Sequence, residues 1–205
     1  MLEDLMGLML IYLPPPISPP LSTSLSVEFW FNNNAANCGV AVRNGEFSIQ
    51  YCGPIYAYVN VNGAWIAASG SMPFQQWFQI AETWDGSNVK IYINGILQGS
   101  AAASGSLTWG DGSEQRLWIG HWSGGGWYVN GSIANIQIYN TSLSANEIQA
   151  LYLEGIGGAP IDLQHLVGWW PLNGNANDYS GNGNNGQIIG NVNFVSNWYN
   201  GYTPP

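Results

Sequence analysis

Charged side chains are scarce in this chain of 205 residues: they make up 7% of the sequence, against about a quarter in a typical soluble protein. Asn, Gly, Ser, Gln, Trp and Tyr take their place, so contacts with neutral polar partners desolvate few ions. Only Arg43, Lys90 and Arg116 are basic, whereas a protein that binds nucleic acid neutralises phosphates with many Lys and Arg. Nucleic acid and anionic membrane surfaces are therefore poor partners. The formal net charge of −9 comes from scattered acids and indicates simple solubility.

Long apolar runs are also missing, and no segment is long enough to span a bilayer. Residues 5–13 are apolar, but Gly7 interrupts them and Glu3 and Asp4 precede them. A secretory signal would begin with positive charge and end at a small-residue cleavage site. We therefore predict no membrane insertion, and either a leader that was removed or a chain that is a fragment, for example of a tandem array.

The chain has only two cysteines, Cys38 and Cys52. They flank two short apolar runs around Arg43-Asn44-Gly45-Glu46, a pattern typical of an antiparallel hairpin. Both cysteines would lie near the same rung, so a cross-strand disulfide is geometrically feasible; the alternative is two buried thiols. A disulfide implies an oxidising compartment, which favours an extracellular or cell-surface location.

Short strands recur along the chain. Leu25, Val27, Phe29 and Phe31 alternate with other residues, which predicts a strand with one buried face. Residues 55–61 and 64–68 flank Asn62-Gly63, and residues 88–93 and 96–99 flank Asn94-Gly95. Asn-Gly between apolar runs is the strongest short hairpin signal, because a type I′ turn needs positive φ at both positions.

A single short helix is indicated by the capping box Ser144-Ala145-Asn146-Glu147, with Gly155 as its stop. Residues 14–20, Pro-Pro-Pro-Ile-Ser-Pro-Pro, form a stiff connector. Residues 116–122 and 127–139 add further strand. The pattern predicts an all-β fold: a two-sheet antiparallel β-sandwich or jelly roll with one short helix.

Several segments resemble those of a known family, which is more specific than the alternation of apolar residues. In laminin-G-like jelly rolls, the central hairpin is similar to residues 77–95 and the last long strand to residues 117–140. The terminal helix of these domains is similar to residues 143–152, and their opening strand and loop to residues 169–186. The chain thus resembles the laminin-G-like or concanavalin-A-like lectin domains. This resemblance implies the sandwich fold and a recognition role, without naming a ligand.

The order of these segments departs from that of the family, which opens with the Trp-Pro-Leu-Asn-Gly-Asn stretch and ends with the helix. In this chain the helix precedes that stretch, and residues 1–13 resemble the segment that would follow residue 205 in the family. The strand order is therefore circularly rotated relative to the family. We predict one domain over residues 1–205. An N-terminal strand and Pro-rich connector occupy 1–21 and the main sandwich 22–154. Strands in 167–205 complete either the chain's own sandwich or that of a neighbouring copy.

The resemblance also implies a structural calcium ion, with Asp178 and Asn182 as the candidate ligands. Relatives often carry acids where this chain has Ala134 and Asn135, and losing those carboxylates weakens a site for a hard cation. The alternative is a hydrogen-bonded turn without metal.

Three tryptophans lie beside Gly-rich loops and are candidate ligand-binding residues: Trp109, Trp122 and Trp127. Exposed aromatic faces stack on the apolar surfaces of sugar rings, an extension of ordinary aromatic packing; the alternative is that these rings cover the ends of the sandwich. Asn130-Gly131-Ser132 and Asn140-Thr141-Ser142 are N-glycosylation sequons.

No catalytic residues are predicted. Glycosidases on related sandwiches need two carboxylates at a fixed separation, and their clustered acidic motif is absent. Glu82 and Asp85 share one stretch, in which Asp85 is expected to cap a turn. His121 and His165 lack ligands at zinc spacing.

Two functions fit these observations. The first is a non-catalytic extracellular recognition or adhesion module that binds a glycan or another surface. The alternative is a self-associating subunit of an extracellular filament or array, assembled by strand exchange between copies, since an unpaired strand edge recruits a neighbour's strand.

Overall fold

The computed structural model describes residues 9–13, 21, 23–34, 37–109, 116–122, 127–190 and 192–194. Within them the elements are, in chain order, β1 (Met9–Leu13), β2 (Leu25–Asn33), β3 (Cys38–Arg43), β4 (Phe47–Cys52), β5 (Ile55–Val61), β6 (Ala64–Gly70), β7 (Phe78–Trp84), β8 (Asn88–Ile93), β9 (Ile96–Ala102), β10 (Leu117–Ile119), β11 (Gly131–Tyr139), α1 (Ala145–Glu154), β12 (Leu166–Trp170) and β13 (Gln187–Gly190). None of the described residues forms a helix with the length and apolarity that crossing a bilayer requires.

The strands form two antiparallel sheets, which confirms the predicted sandwich. A seven-stranded sheet has the order β13-β1-β10-β3-β4-β5-β6, and a six-stranded sheet has the order β12-β11-β2-β7-β8-β9. The predicted hairpins β5–β6 and β8–β9 are present. Both central residues of each turn have positive φ: 53° and 83° at Asn62 and Gly63, and 52° and 75° at Asn94 and Gly95, as a type I′ turn demands.

Alternation along the strands builds the core between the sheets. From the six-stranded sheet come Val27, Phe29 and Phe31, all fully buried. The seven-stranded sheet supplies Phe47, Ile49, Tyr51, Ala57 and Val59 to the same cluster.

The outer face of β2 is buried as well, so the expectation of one buried face is wrong for this strand. The reason is a second layer: Ile148 and Leu151 of α1 pack with Tyr92 and Tyr139 on the outside of the six-stranded sheet. The predicted capping box holds the start of α1, where Ser144 Oγ accepts a hydrogen bond from Glu147 N.

One carboxylic acid faces the core. Glu82 lies between Ile80 and Trp84 on the inward side of β7, and its Cα partners are Val27 and Ile91. It is fully buried, and neither carboxyl oxygen has a hydrogen-bond partner among the described residues. Asp85, by contrast, caps its turn as predicted: its Oδ1 accepts hydrogen bonds from the backbone N–H groups of Ser87 and Asn88, at 3.0 and 2.8 Å.

The strands after the helix complete an edge of each sheet within the same chain. β12 pairs with β11, and β13 pairs with β1, as the rotated order requires. Val167, Trp170 and Leu172 join the core, and the indole Nε1 of Trp170 donates to the carbonyl of Asn184 at 2.9 Å. The proposed domain boundaries and the exchange of these strands with a neighbouring copy stay predictions.

A disulfide joins Cys38 and Cys52, which are direct Cα partners in the β3–β4 ladder. Replacing both cysteines by serine should lower the free energy of unfolding by about 2–3 kcal/mol, because the unfolded chain loses a loop constraint of this size. Urea unfolding of the double variant, compared with wild type in the absence of reductant, measures the loss. A midpoint equal to that of wild type would show that the cross-link contributes no stability.

Candidate functional site

The outer face of the seven-stranded sheet carries polar and aromatic side chains where the inner face carries core residues. On β5, Tyr56 and Tyr58 alternate with Ile55, Ala57 and Val59, which are buried in the core. The register then places Arg43 of β3 on the same outer face, because Arg43 pairs with Ser48, and Ser48 with Tyr58. We call Arg43, Tyr56, Tyr58, Trp65 and Trp122 the aromatic face.

Arg43 lies over two indole rings at the centre of this face. Its Cζ is 4.7 Å from the ring centroid of Trp65 and 4.9 Å from that of Trp122. Both distances are within the range of a cation–π interaction. Arg43 therefore links a tryptophan of β6, at one edge of the sheet, to a tryptophan that follows β10.

The two tyrosines extend the aromatic face along β5. Their ring centroids are 5.9 Å apart with the planes at 37°, and both side chains are half-buried. Partial burial, followed by the neighbouring Tyr56, raises the pKa of Tyr58, so its hydroxyl stays protonated at neutral pH. Beside them, Gln50 Nε2 donates to Ser48 Oγ at 2.9 Å.

A polar row borders the aromatic face where β4 begins. The backbone N–H of Asn60 donates to the carbonyl of Glu46 at 2.7 Å, and Thr108 Oγ1 donates to Asn60 Oδ1 at 3.0 Å. Burial raises the pKa of Glu46 to about 7, against the opposing effect of a hydrogen bond from Asn44. At neutral pH the carboxyl at this end of the face is therefore only partly ionised.

Of the three predicted tryptophans, the structure brings Trp122 into the aromatic face. Trp109 is 38% exposed and directly follows Thr108, so it lies at the end of the face marked by Asn60. Trp127 is 36% exposed, and its carbonyl accepts a hydrogen bond from Val40 N at 3.3 Å, beside β3. Their role in binding a ligand stays a prediction.

Reasoning from sequence missed Arg43, Tyr56, Tyr58 and Trp65. The alternation in residues 55–61 could have assigned the two tyrosines to the outer face. The contact between Arg43 and Trp65 depends on the order of strands β3 to β6 in the sheet. The residues next to either side chain in the sequence do not predict it.

The loop proposed to hold calcium is organised by hydrogen bonds. Asp178 Oδ1 accepts from the backbone N–H groups of Trp169 and Ser180, and its Oδ2 accepts from Ser180 Oγ and Asn184 N, at 2.8–3.0 Å. Asn182 turns its Nδ2, a donor, toward the carbonyls of residues 166 and 167. A hard cation needs oxygen ligands that are free to coordinate it, whereas here both Asp178 oxygens accept hydrogen bonds and Asn182 presents a nitrogen, so the two side chains do not fit such an ion as they are arranged. Calcium binding stays a prediction of the sequence alone.

Metal-ligand clustering is absent elsewhere in the described ranges, where no three His, Cys, Asp or Glu side chains converge. His121 stacks on Tyr128 with the ring centroids 4.3 Å apart, and His165 Nδ1 lies 2.7 Å from Asp162 Oδ2. The sequon asparagines Asn130 and Asn140 are both half-buried, and their glycosylation stays a prediction.

Two antiparallel sheets packed over one core define a jelly-roll β-sandwich. The chain belongs to the concanavalin A-like lectin/glucanases superfamily, whose family model matches residues 11–149. No curated protein sequence matches the chain.

Solved structures share the fold. A protein from Bacteroides ovatus to which carbohydrate binding has been ascribed superposes with a TM-score of 0.68 at 14% identity, over 93% of this chain and 60% of that one. The binding domain of botulinum neurotoxin DC, solved in complex with SialylT, gives 0.54 at 14% identity, over 75% and 44%. A structure of botulinum neurotoxin type C, whose cell entry depends on interaction with two ganglioside molecules, gives 0.53 at 13%, over 75% and 44%. This chain thus spans about half of the neurotoxin chains' length, and identities this low establish the fold alone.

Proposed function

We propose that this chain is a non-catalytic recognition module that binds a neutral glycan on the aromatic face. The observation that carries the proposal is the contact of Arg43 with the indoles of Trp65 and Trp122, next to the tyrosine pair of β5. Sugar rings present apolar C–H surfaces that pack on aromatic rings, while amides and hydroxyls at the border of the face can bond their hydroxyl groups.

The charge of the chain favours a neutral ligand over an acidic one. The net charge is −9, so an anionic polysaccharide approaches against the overall field of the protein. A neutral glycan meets no such barrier, and its binding desolvates few ions. The carbohydrate binding ascribed to the Bacteroides ovatus protein and the ganglioside interaction of botulinum neurotoxin type C support a glycan as the ligand class. The choice of a neutral glycan rests on the charge of this chain alone.

The absence of catalysis is part of the proposal, because the superfamily includes glucanases as well as lectins. Hydrolysis of a glycosidic bond needs two carboxylic acids on either side of that bond. Among the described residues that the register places on this face, Glu46 supplies a single carboxyl group.

An extracellular or cell-surface location and a role in adhesion also belong to the proposal. The Cys38–Cys52 disulfide supports an oxidising compartment. Filament assembly by strand exchange has no comparable support: β12 and β13 fill the edges of their own sheets.

Binding is tested first with wild-type protein in affinity gel electrophoresis against dextran, laminarin and mannan, with alginate as the anionic comparison. We expect retardation by at least one neutral polysaccharide and none by alginate. Trp65→Ala and Trp122→Ala should each weaken that binding by up to about tenfold, since one aromatic stacking contact contributes about 0.5–1.5 kcal/mol.

Phe74→Ala is the matched control: Phe74 is an exposed aromatic residue that follows the opposite end of β6 from Trp65. Its binding should equal that of wild type. Full binding by a Trp65→Ala, Trp122→Ala double variant would show that the glycan is held elsewhere, and failure of every polysaccharide to bind wild type would count against a glycan ligand.

A further inference from the structure

The two tryptophans of the aromatic face come from opposite sides of Arg43 in the sheet. Trp65 is on β6, three strands away from β3, a span of about 14 Å at ordinary strand spacing. Trp122 follows β10, the neighbour of β3 on its other side. The backbone near Trp122 is anchored to β3, where Gly120 N donates to the carbonyl of Ala41 at 2.7 Å.

Arg43 reaches across this span because the residue next to it is small. Its Cα partner on β4 is Ser48, which is fully buried beneath the face. The long side chain can therefore lie over β4 and meet the Trp65 ring. A planar guanidinium stacks on aromatic rings in a way that a Lys ammonium cannot.

We propose that Arg43 is the positioning residue of the aromatic face: it fixes Trp65 and Trp122 in one arrangement, so that a single oligosaccharide contacts both rings. This inference rests on the proposed function. When an indole is already held in its bound position, ligand binding does not have to restrict a flexible side chain, which would otherwise weaken the binding. Arg43 also covers part of each ring, which restricts the surface left for stacking.

Three variants test this role. Arg43→Met keeps a long apolar side chain without the guanidinium, and Arg43→Lys keeps the charge without the plane. Lys90→Met is the matched control, because it removes one positive charge from the six-stranded sheet, where Lys90 pairs with Asp85 at 3.0 Å. The readouts are the indole N–H signals of Trp65 and Trp122 in ¹⁵N–¹H NMR spectra, and affinity electrophoresis with laminarin, dextran and mannan.

In Arg43→Met we expect both indole signals to shift and broaden, and binding of a retarding polysaccharide to weaken about tenfold, as expected when two side chains must be ordered by the ligand. Arg43→Lys should fall between this variant and wild type. Lys90→Met should match wild type in both readouts. Urea unfolding checks that the Arg43 variants remain folded under the conditions of both measurements.

Unchanged indole signals in Arg43→Met would overturn the positioning role, whether or not the protein binds a polysaccharide. Shifted signals with undiminished binding would show that positioning does not serve recognition, and would overturn the inference too. If no polysaccharide retards wild type while the signals shift as expected, the positioning of the rings is upheld and it is the glycan ligand of the proposed function that fails.

Discussion

Replacing Trp170 by alanine should lower the free energy of unfolding by about 3–5 kcal/mol, the usual range for removing a large aromatic side chain from a core. Trp170 is fully buried between the sheets. The fit is close: a Cβ at Gly168 would overlap the Trp170 ring. Urea unfolding followed by circular dichroism measures the loss.

Trp109→Ala is the control for this experiment, because the Trp109 side chain is 38% exposed and its removal should cost much less. A Trp170→Ala variant as stable as wild type would show that β12 is not part of the core. Light scattering on wild type adds a second readout. A monomer would place β12 in its own sandwich, whereas a stable dimer would favour exchange between copies.

The second large effect concerns Glu82, whose substitution by leucine should stabilise the protein by about 1–3 kcal/mol at neutral pH, the typical cost of a buried polar group without a hydrogen bond. Burial raises the pKa of Glu82 well above its ordinary value of 4.5. The native protein therefore keeps this carboxyl protonated, while the unfolded chain releases the proton. The stability that depends on this proton is full below pH 4.5 and is lost as the pH rises.

The pH dependence gives this prediction a sharper form. Between the unfolded and folded pKa values, one such group removes about 1.4 kcal/mol of stability per pH unit. Glu28 and Glu46 act in the same direction, since burial raises their pKa values to about 8 and 7. Wild type should thus be more stable at pH 5 than at pH 7.5. In Glu82→Gln the free energy of unfolding should fall less steeply with pH, by about 1.4 kcal/mol per pH unit, because one titrating group has been removed.

Unfolding curves at pH 5, 6 and 7.5 test this, with Glu154→Gln on the exposed side of α1 as the control that should leave the slope unchanged. An identical pH slope for wild type and Glu82→Gln would mean that Glu82 is ionised in the native state. The idea of a neutral acid in the core would then be wrong.

The sandwich could be predicted because its signals are local. Asn-Gly pairs demand positive φ and marked two hairpins, Ser144 and Glu147 marked the start of the helix, and the spacing of Cys38 and Cys52 around one turn placed them opposite each other. The rotated strand order followed from the family's segments, and the pairing of β1 with β13 satisfies it.

Features that depend on packing between distant segments could not be predicted. The outer face of β2 reads as solvent-exposed, but a helix more than 100 residues later covers it. Glu82 occupies an inward position of β7, where the alternating pattern calls for an apolar residue, so the pattern does not predict a buried carboxyl there. The centre of the aromatic face is formed by Arg43, Trp65 and Trp122. These residues are far apart in sequence, so their contact can be predicted only once the strand order is known.

The pairing of β1 with β13 has a consequence for the connectivity of the molecule. Met9 and Gly190 are direct partners across these two antiparallel strands, so the first and last described strands meet at one corner of the seven-stranded sheet. A short peptide that links the end of the chain to its beginning would give a circular polypeptide. A cut between α1 and β12 would then give a linear chain with the segment order of the relatives. The tertiary structure would tolerate either covalent arrangement, because the contacts that hold the sandwich do not record where the polypeptide is interrupted.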